Sequence, residues 1–95
     1  MPKILIIEDE AILAEMYKDK FEEEGFQTDL VFSSEEAIEY LKEKKPDLIL
    51  LDILLPRENG IYFLKRLKEI LEISKIPVFG ISNYDEPKTK WKLID

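Results

Sequence analysis

The sequence contains no cysteine and no histidine, and it has only three glycines in 95 residues. Without cysteine, disulfides and thiolate zinc sites are excluded, and without histidine so is every mechanism that depends on imidazole. Any chemistry must therefore come from carboxylates, hydroxyls, lysines or a metal ion. The apolar run near the N-terminus, residues 4–7, is too short for a signal peptide or a membrane span, so we expect a cytoplasmic protein.

Basic residues are scarce relative to acidic ones. The chain has 14 lysines and arginines against 21 aspartates and glutamates, which gives a formal net charge of -7. This balance argues against direct binding to nucleic acid or to an anionic membrane. With 45% hydrophobic and 37% charged residues, the composition is that of a soluble globular protein, and 95 residues suffice for one domain.

Short apolar runs alternate with amphipathic stretches, which predicts βαβ crossovers and a parallel sheet. The predicted strands are residues 4–7, 26–32, 48–51 and 77–81, and the second of them has the polar interruptions of an edge strand. The predicted helices are residues 11–24, residues 33–45 with Ser33 and Glu36 as a capping box, and a third from Asn59. The first helix should bury the stripe formed by Ile12, Leu13, Met16, Tyr17 and Phe21.

Residues 88–95 are predicted to begin a fourth helix, after a loop at residues 83–87. The fourth strand would then be an exposed edge, although Val78, Phe79 and Ile81 are too apolar for that position. We therefore expect self-association through this strand.

Acidic residues follow two of the predicted strands, and a hydroxyl follows another. Glu8, Asp9 and Glu10 come after the first strand, Asp52 after the third and Ser82 after the fourth. Because parallel strands all end at the same edge of a sheet, these groups should meet there if the first, third and fourth strands are neighbours. Carboxylates this crowded repel one another, so either one of them takes up a proton or a cation lies among them, and Mg²⁺ is the cation that best suits oxygen ligands. With no histidine or cysteine, Asp52 is the best-placed nucleophile for a phosphoryl donor. Glu10 is expected to face solvent.

These motifs resemble those of the receiver domains of two-component response regulators. The similar segments are the first strand with its acidic pair at residues 3–10, the phosphoacceptor motif at residues 51–60, and the fourth strand ending in Ser at residues 77–82. The resemblance covers all 95 residues and implies a flavodoxin-like α/β fold with strand order 2-1-3-4. It also implies that residues 1–95 are one C-terminally incomplete domain, without the family's fifth strand and last helix.

The same resemblance assigns roles to individual residues. Asp52 would be the phosphoacceptor, and Mg²⁺ would be bound by Glu8, Asp9, Asp52 and the backbone carbonyl of Leu54. Ser82 would hydrogen-bond the phosphoryl group and act in the switch, while Leu54 and Tyr84 would tune how long that group survives. The donor would be a histidine kinase, a phosphotransfer protein or a small acyl phosphate, with a downstream protein target, and the domain would not be an enzyme.

Three differences from the family pattern leave alternatives open. The chain ends before the lysine that pairs with the phosphoaspartate and before the aromatic switch residue. Asn83 stands where a small residue is usual, and Leu55 replaces a common methionine. The first alternative is a truncated, non-signalling receiver fragment or protein-interaction module that cannot be stably phosphorylated. The second, a nucleotide-binding flavodoxin-like domain, is disfavoured because no glycine follows the first strand.

Overall fold

The computed structural model describes residues 2–52, 60–82 and 90–94. Within them the chain alternates strands and helices before ending in two successive strands. The elements are β1 (Lys3–Ile7), α1 (Ala11–Glu23), β2 (Gln27–Val31), α2 (Ser34–Glu43), β3 (Leu48–Asp52), α3 (Gly60–Ser74), β4 (Val78–Ser82) and β5 (Lys90–Ile94). Among these residues, no helix combines the length and apolarity that crossing a membrane requires.

The strands form one sheet with the order β2-β1-β3-β4-β5. The β2-β1-β3-β4 part is parallel, which confirms the predicted order, and β2 lies at an edge as expected. Each crossover among these four strands contains one helix, as parallel strands require.

The last strand corrects the prediction for the C-terminal residues. Residues 90–94 do not begin a helix; they pair antiparallel with β4 along its whole length, from Ser82 opposite Lys90 to Val78 opposite Ile94. The expectation that β4 is an exposed edge is therefore wrong, and the argument for self-association through it loses its basis. The sequence carries a signal for this strand, because Lys90 and Lys92 alternate with Trp91 and Leu93 with the period of two that strands show.

Both faces of the sheet are apolar, and each packs against different helices. One face contributes Leu5, Ile7, Ile49, Leu51 and Val78 to a cluster with α2 and α3. The other face contributes Ile4, Ile6 and Leu50 to a cluster with α1. Burial on both sides explains why β1 and β3 are continuous apolar runs instead of alternating ones.

Helix α1 buries a narrower stripe than its sequence predicts. Ala14 and Tyr17 are buried, but Ile12 and Met16 are 79% and 57% exposed, so the prediction that they belong to the buried face is wrong. Near the C-terminal end of α1, the Glu22 carboxylate accepts a hydrogen bond of 2.8 Å from the Thr28 hydroxyl of β2. The chain then leaves α1 through Gly25, whose φ of 98° lies in the left-handed region that glycine favours after a helix.

The N-terminus of helix α2 is capped as its sequence predicts, and a residue near the C-terminus of α2 forms a hydrogen bond with β2. The Ser33 hydroxyl accepts the Glu36 N–H at 3.1 Å, and the Glu36 carboxylate accepts the Phe32 N–H at 2.8 Å. Near the other end, the Tyr40 hydroxyl donates to the Asp29 carboxylate at 2.6 Å. This hydrogen bond lowers the pKa of Asp29, and Lys3, at 3.3 Å, lowers it further.

We expect Tyr40→Phe to lower the free energy of unfolding by about 1–2 kcal/mol near neutral pH, because it removes a hydrogen bond to a charged group. The hydrogen bond holds the folded-state pKa of Asp29 below 3.8, so its contribution is present above that pH and disappears as the carboxylate is protonated. Urea unfolding at pH 7 and pH 3 measures the difference. A double-mutant cycle with Asp29→Asn isolates the pair, and a coupling energy of zero at pH 7 would contradict the assignment.

Helix α3 ends at a residue with an unfavourable backbone conformation. Lys75 has a φ of 62°, and its N–H donates to the Leu71 carbonyl at 2.8 Å. Glycine is the residue that usually occupies this position after a helix.

We expect Lys75→Gly to raise the free energy of unfolding by about 0.5–1 kcal/mol. The matched control is Lys68→Gly, an exposed position inside α3, which should lower it by about 1 kcal/mol. Thermal unfolding of both variants is the measurement, and equal effects would contradict the interpretation.

Candidate functional site

The register of the sheet brings the acidic strand ends together. Ile7 pairs with Leu51, so the next residues on each strand, Glu8 and Asp52, lie side by side. Asp52 in turn pairs with Ile81, which places the backbone of Ser82 one residue further along the same edge. The three strand ends that the sequence predicts to converge therefore do so in the backbone.

The side chains of Glu8, Asp9 and Asp52 form one cluster, in which each residue offers a carboxylate oxygen within 4.8 Å of the others. Glu8 is 1% exposed and Asp52 is 8% exposed, whereas Asp9 is half-buried. Glu10 is exposed and does not belong to the cluster, as predicted. The cluster therefore has two carboxyl groups, those of Glu8 and Asp52, in the protein interior, and a third, that of Asp9, closer to solvent.

Two backbone contacts hold Glu8 in this position. Its N–H donates to the Val31 carbonyl, the last residue of β2, at 3.1 Å. Its side-chain Oε2 accepts the Glu10 N–H at 3.0 Å, which turns the carboxyl group back over the start of α1. The cluster is thus built on the ends of β1 and β3 and braced by the edge strand β2.

Burial raises the pKa of Glu8 from 4.5 to about 8. The Glu10 N–H opposes this shift by stabilising the carboxylate, but hydrogen bonding and charge repulsion from Asp52 and a hydrogen bond with Asp9 favour the protonated acid. Without a bound cation, the Glu8 carboxyl therefore carries a proton at neutral pH, which relieves the repulsion within the cluster.

The donor set of the cluster fits a hard divalent cation. All three side chains offer oxygen, and Mg²⁺ is commonly held by one or two carboxylates together with carbonyl, water or phosphate oxygens. A cation would also supply the positive charge that a proton on Glu8 now provides. The cluster could therefore hold a divalent cation of this kind.

Several predicted site residues lie outside the described residues. Leu54 and Tyr84 are among them, and of Ser82 only the backbone is described. Leu55 and Asn83, which differ from the family pattern, and Asn59, the predicted start of the third helix, also lie outside the described residues. Sequence reasoning did not select Lys90, which the structure places opposite Ser82 at this edge. The signal that could have found it is the alternating pattern of residues 90–93.

The comparisons with known proteins agree with this geometry. Residues 4–95 match the family of the response regulator receiver domain. One relative, the phosphate regulon transcriptional regulatory protein PhoB of Rhizobium meliloti, is 37% identical over 82 residues, which are 86% of this chain and 36% of PhoB. A second, the polar-differentiation response regulator DivK of Brucella anthropi, is 35% identical over 85 residues, which are 88% of this chain and 69% of DivK.

A solved structure shows the same fold. The response regulator protein TrrA of Thermotoga maritima, crystallised in complex with Mg²⁺ and BeF, superposes with a TM-score of 0.65 and 32% identity, over 79% of this chain and 63% of that one. This structural match agrees with the family assignment. So do the order of the parallel strands and the acidic cluster at their carboxyl ends. The chain belongs to the family of response regulator receiver domains.

Proposed function

We propose that this receiver domain accepts a phosphoryl group on Asp52 in a cytoplasmic two-component phosphorelay. The observation that carries the proposal is the buried Asp52 carboxyl at the end of β3, with oxygens of Glu8 and Asp9 within 4.8 Å. A carboxylate in this position is a nucleophile whose charge calls for a cation, and phosphoryl transfer demands mainly positioning and charge neutralisation from the protein.

Mg²⁺ would be held by Asp9, Asp52, Glu8 and the backbone carbonyl of Leu54. When bound, it would neutralise charge on the phosphoryl oxygens and keep them close to Asp52. The acidic cluster supports this assignment through its oxygen donors and their spacing. Further support comes from TrrA, a relative whose structure contains Mg²⁺ and BeF.

The transfer itself would be a displacement at phosphorus. A carboxylate oxygen of Asp52 forms the new P–O bond, and the bond from phosphorus to the donor's nitrogen or oxygen breaks, with its electron pair leaving on the donor. The product is an aspartyl phosphate. Ser82, one residue beyond the partner of Asp52 in β4, would donate its hydroxyl to the phosphoryl group and so report phosphorylation to the rest of the domain.

The partners follow from this chemistry. A histidine kinase or a phosphotransfer protein would supply the phosphoryl group, and a downstream protein would respond to it. We propose no direct contact with nucleic acid, and the net charge of -7 supports this. The domain acts as a substrate and switch in the relay, and is not an enzyme.

The test is to incubate the protein with Mg²⁺ and acetyl phosphate and to measure its intact mass. One phosphoryl group should be added, and peptide mapping should locate it on Asp52. The same incubation with a chelator in place of Mg²⁺ should give no adduct. If the wild-type protein gains no phosphoryl group in Mg²⁺, the domain is a receiver fragment that cannot be stably phosphorylated, and the proposal fails.

A further inference from the structure

A groove that is open to solvent lies between α2 and α3 and shares no residue with the acidic cluster. Its volume is about 210 Å³. The residues that line it come from both helices and are Glu35, Ile38, Glu39, Lys42, Tyr62 and Arg66. Ile38 is buried, whereas Tyr62 is 60% exposed and the four charged side chains are exposed. The groove therefore combines an accessible aromatic ring with charged groups of both signs.

The groove is balanced in charge, although the protein as a whole is acidic. Two of its four charged residues are acidic and two are basic, whereas the chain has a net charge of -7. Charges separated by more than about 8 Å are largely screened at physiological ionic strength, so the charges near a contact decide whether it forms. A second copy of this chain, which an acidic surface repels, can therefore approach at the groove.

The two helices beside the groove carry opposite charges. α2 contains four glutamates and one lysine, which are Glu35, Glu36, Glu39, Glu43 and Lys42. The first nine residues of α3 contain no acidic residue and three basic ones, Lys65, Arg66 and Lys68. Among the described residues, Lys42 is 3.0 Å from Glu39, but Arg66 belongs to no salt bridge. The groove thus has an acidic side and a basic side.

The direction of the helices determines how two such grooves can meet. Both helices run in the same direction, because each connects the carboxyl end of one parallel strand to the amino end of the next. A two-fold axis along the groove would place α2 of each copy against α3 of the other, so that acidic residues face basic ones twice. An axis across the groove would place α2 against α2, where the glutamates repel one another. The charges therefore favour the first arrangement, in which the surface is complementary to itself.

Glu39 and Arg66 are the best-matched pair in that arrangement. Glu39 is the sixth residue of α2 and Arg66 is the seventh residue of α3, so the two lie at similar distances from the helix starts. A rotation about an axis along the groove keeps each residue at its level. Tyr62, one turn before Arg66, would lose its exposure to water at the same contact, and aromatic residues of this kind often anchor interfaces.

We propose that the groove between α2 and α3 binds a second copy of this chain, with Glu39 of each copy facing Arg66 of the other. This surface is distinct from β4 and from the acidic cluster, so the dimer requires neither Mg²⁺ nor a phosphoryl group. Because its contacts are exposed ion pairs around one aromatic residue per copy, we expect the dimer to be weak and to form at high protein concentration.

The test is sedimentation velocity of the protein at concentrations from about 10 to 500 µM, without a phosphoryl donor. The wild type should show an equilibrium between monomer and dimer. Arg66→Glu and Glu39→Arg should each weaken the dimer by at least about tenfold, because each variant brings like charges together at both contacts. An equimolar mixture of the two variants should recover the dimer, since the charges at both contacts are then opposite again.

The matched control is Lys68→Glu, which changes the net charge as much as Arg66→Glu does and lies on the same helix but outside the groove. It should leave the dimer at wild-type strength. The substituted side chains are exposed, so the unfolding midpoint of each variant should match that of the wild type. A folding defect is thereby separated from a loss of contact.

Three results would overturn the inference. The wild type could be a monomer up to about 500 µM, Lys68→Glu could weaken the dimer as much as Arg66→Glu, or the mixture of Arg66→Glu and Glu39→Arg could stay monomeric. The second result would mean that net charge alone governs association. Because no phosphoryl donor is present, none of these results bears on phosphorylation of Asp52.

Discussion

Asp52→Asn is expected to abolish the phosphoryl adduct and, at the same time, to make the metal-free protein more stable. The amide has no carboxylate oxygen to attack phosphorus, so we expect the adduct yield to fall below detection in Mg²⁺ and acetyl phosphate. Asp52 also repels the Glu8 carboxylate in the interior of the protein. Removing that repulsion should raise the free energy of unfolding by about 1 kcal/mol above pH 8 without Mg²⁺.

The opposite signs of these two effects identify a functional residue. A residue that served only the fold would lose stability on substitution, whereas a charge kept for function can be removed with a gain. The matched control is Asp47→Asn, just before the other end of β3, where the carboxylate is exposed and accepts the Lys3 N–H at 2.8 Å. This control should form the adduct normally and be slightly less stable. An adduct that persists in Asp52→Asn would show that another residue is phosphorylated.

Without a metal ion, the free energy of unfolding is expected to fall as the pH rises from 4.5 to 8. Between these values the folded protein keeps a proton on Glu8 that the unfolded chain has released, because burial raises the pKa of Glu8 to about 8. The folded state thus binds more protons than the unfolded state, and stability decreases with pH. We expect a loss on the order of a few kcal/mol across this range, measured by urea unfolding in the presence of a chelator.

Glu8→Gln should remove most of this pH dependence, because the amide keeps the shape of the side chain and does not titrate. Its control is Glu10→Gln, the same substitution at an exposed position two residues away, which should reproduce the wild-type curve. A Glu8→Gln variant that loses stability with pH as the wild type does would refute Glu8 as the titrating group.

Mg²⁺ should oppose the effect of pH on the wild-type protein. Metal binding requires deprotonated ligands, so Mg²⁺ competes with the proton on Glu8 and should bind more tightly at pH 8.5 than at pH 6. A concentration of Mg²⁺ about a hundred times its dissociation constant at pH 8.5 would stabilise the protein by about 2.7 kcal/mol. Equal stabilisation at both pH values would show that Glu8 keeps its proton when the metal binds.

The acidic cluster could be predicted because it follows from parallel strands in the order that the family resemblance implies. Once residues 4–7 and 48–51 are assigned to parallel strands, Glu8, Asp9 and Asp52 must lie near the same edge. How deeply these carboxyl groups are buried could not be predicted in the same way. The proton on Glu8 depends on its 1% exposure and on its contacts with Asp52 and Glu10, which arise only when the strands and the start of α1 are in place.

The two errors in the prediction have different physical causes. Ile12 and Met16 were assigned to the buried face because periodicity identifies an apolar stripe but not how much of it other elements cover. The loop and proline before residues 90–94 are typical of a helix start, whereas the alternation of lysine with apolar residues within them is typical of a strand. The pairing of these residues with β4 is a long-range choice that local patterns do not determine.

The hydrogen bond from the Glu8 amide to the Val31 carbonyl links the acidic cluster to β2, the edge strand of the parallel sheet. β2 is an edge strand, and edge strands open locally more often than central ones. Each local opening that separates Val31 from β1 would break this hydrogen bond of Glu8. The cluster would therefore be intact only while β2 is paired with β1. Deuterium exchange of the Glu8 amide would therefore report how often the cluster opens locally, and Mg²⁺ should slow it.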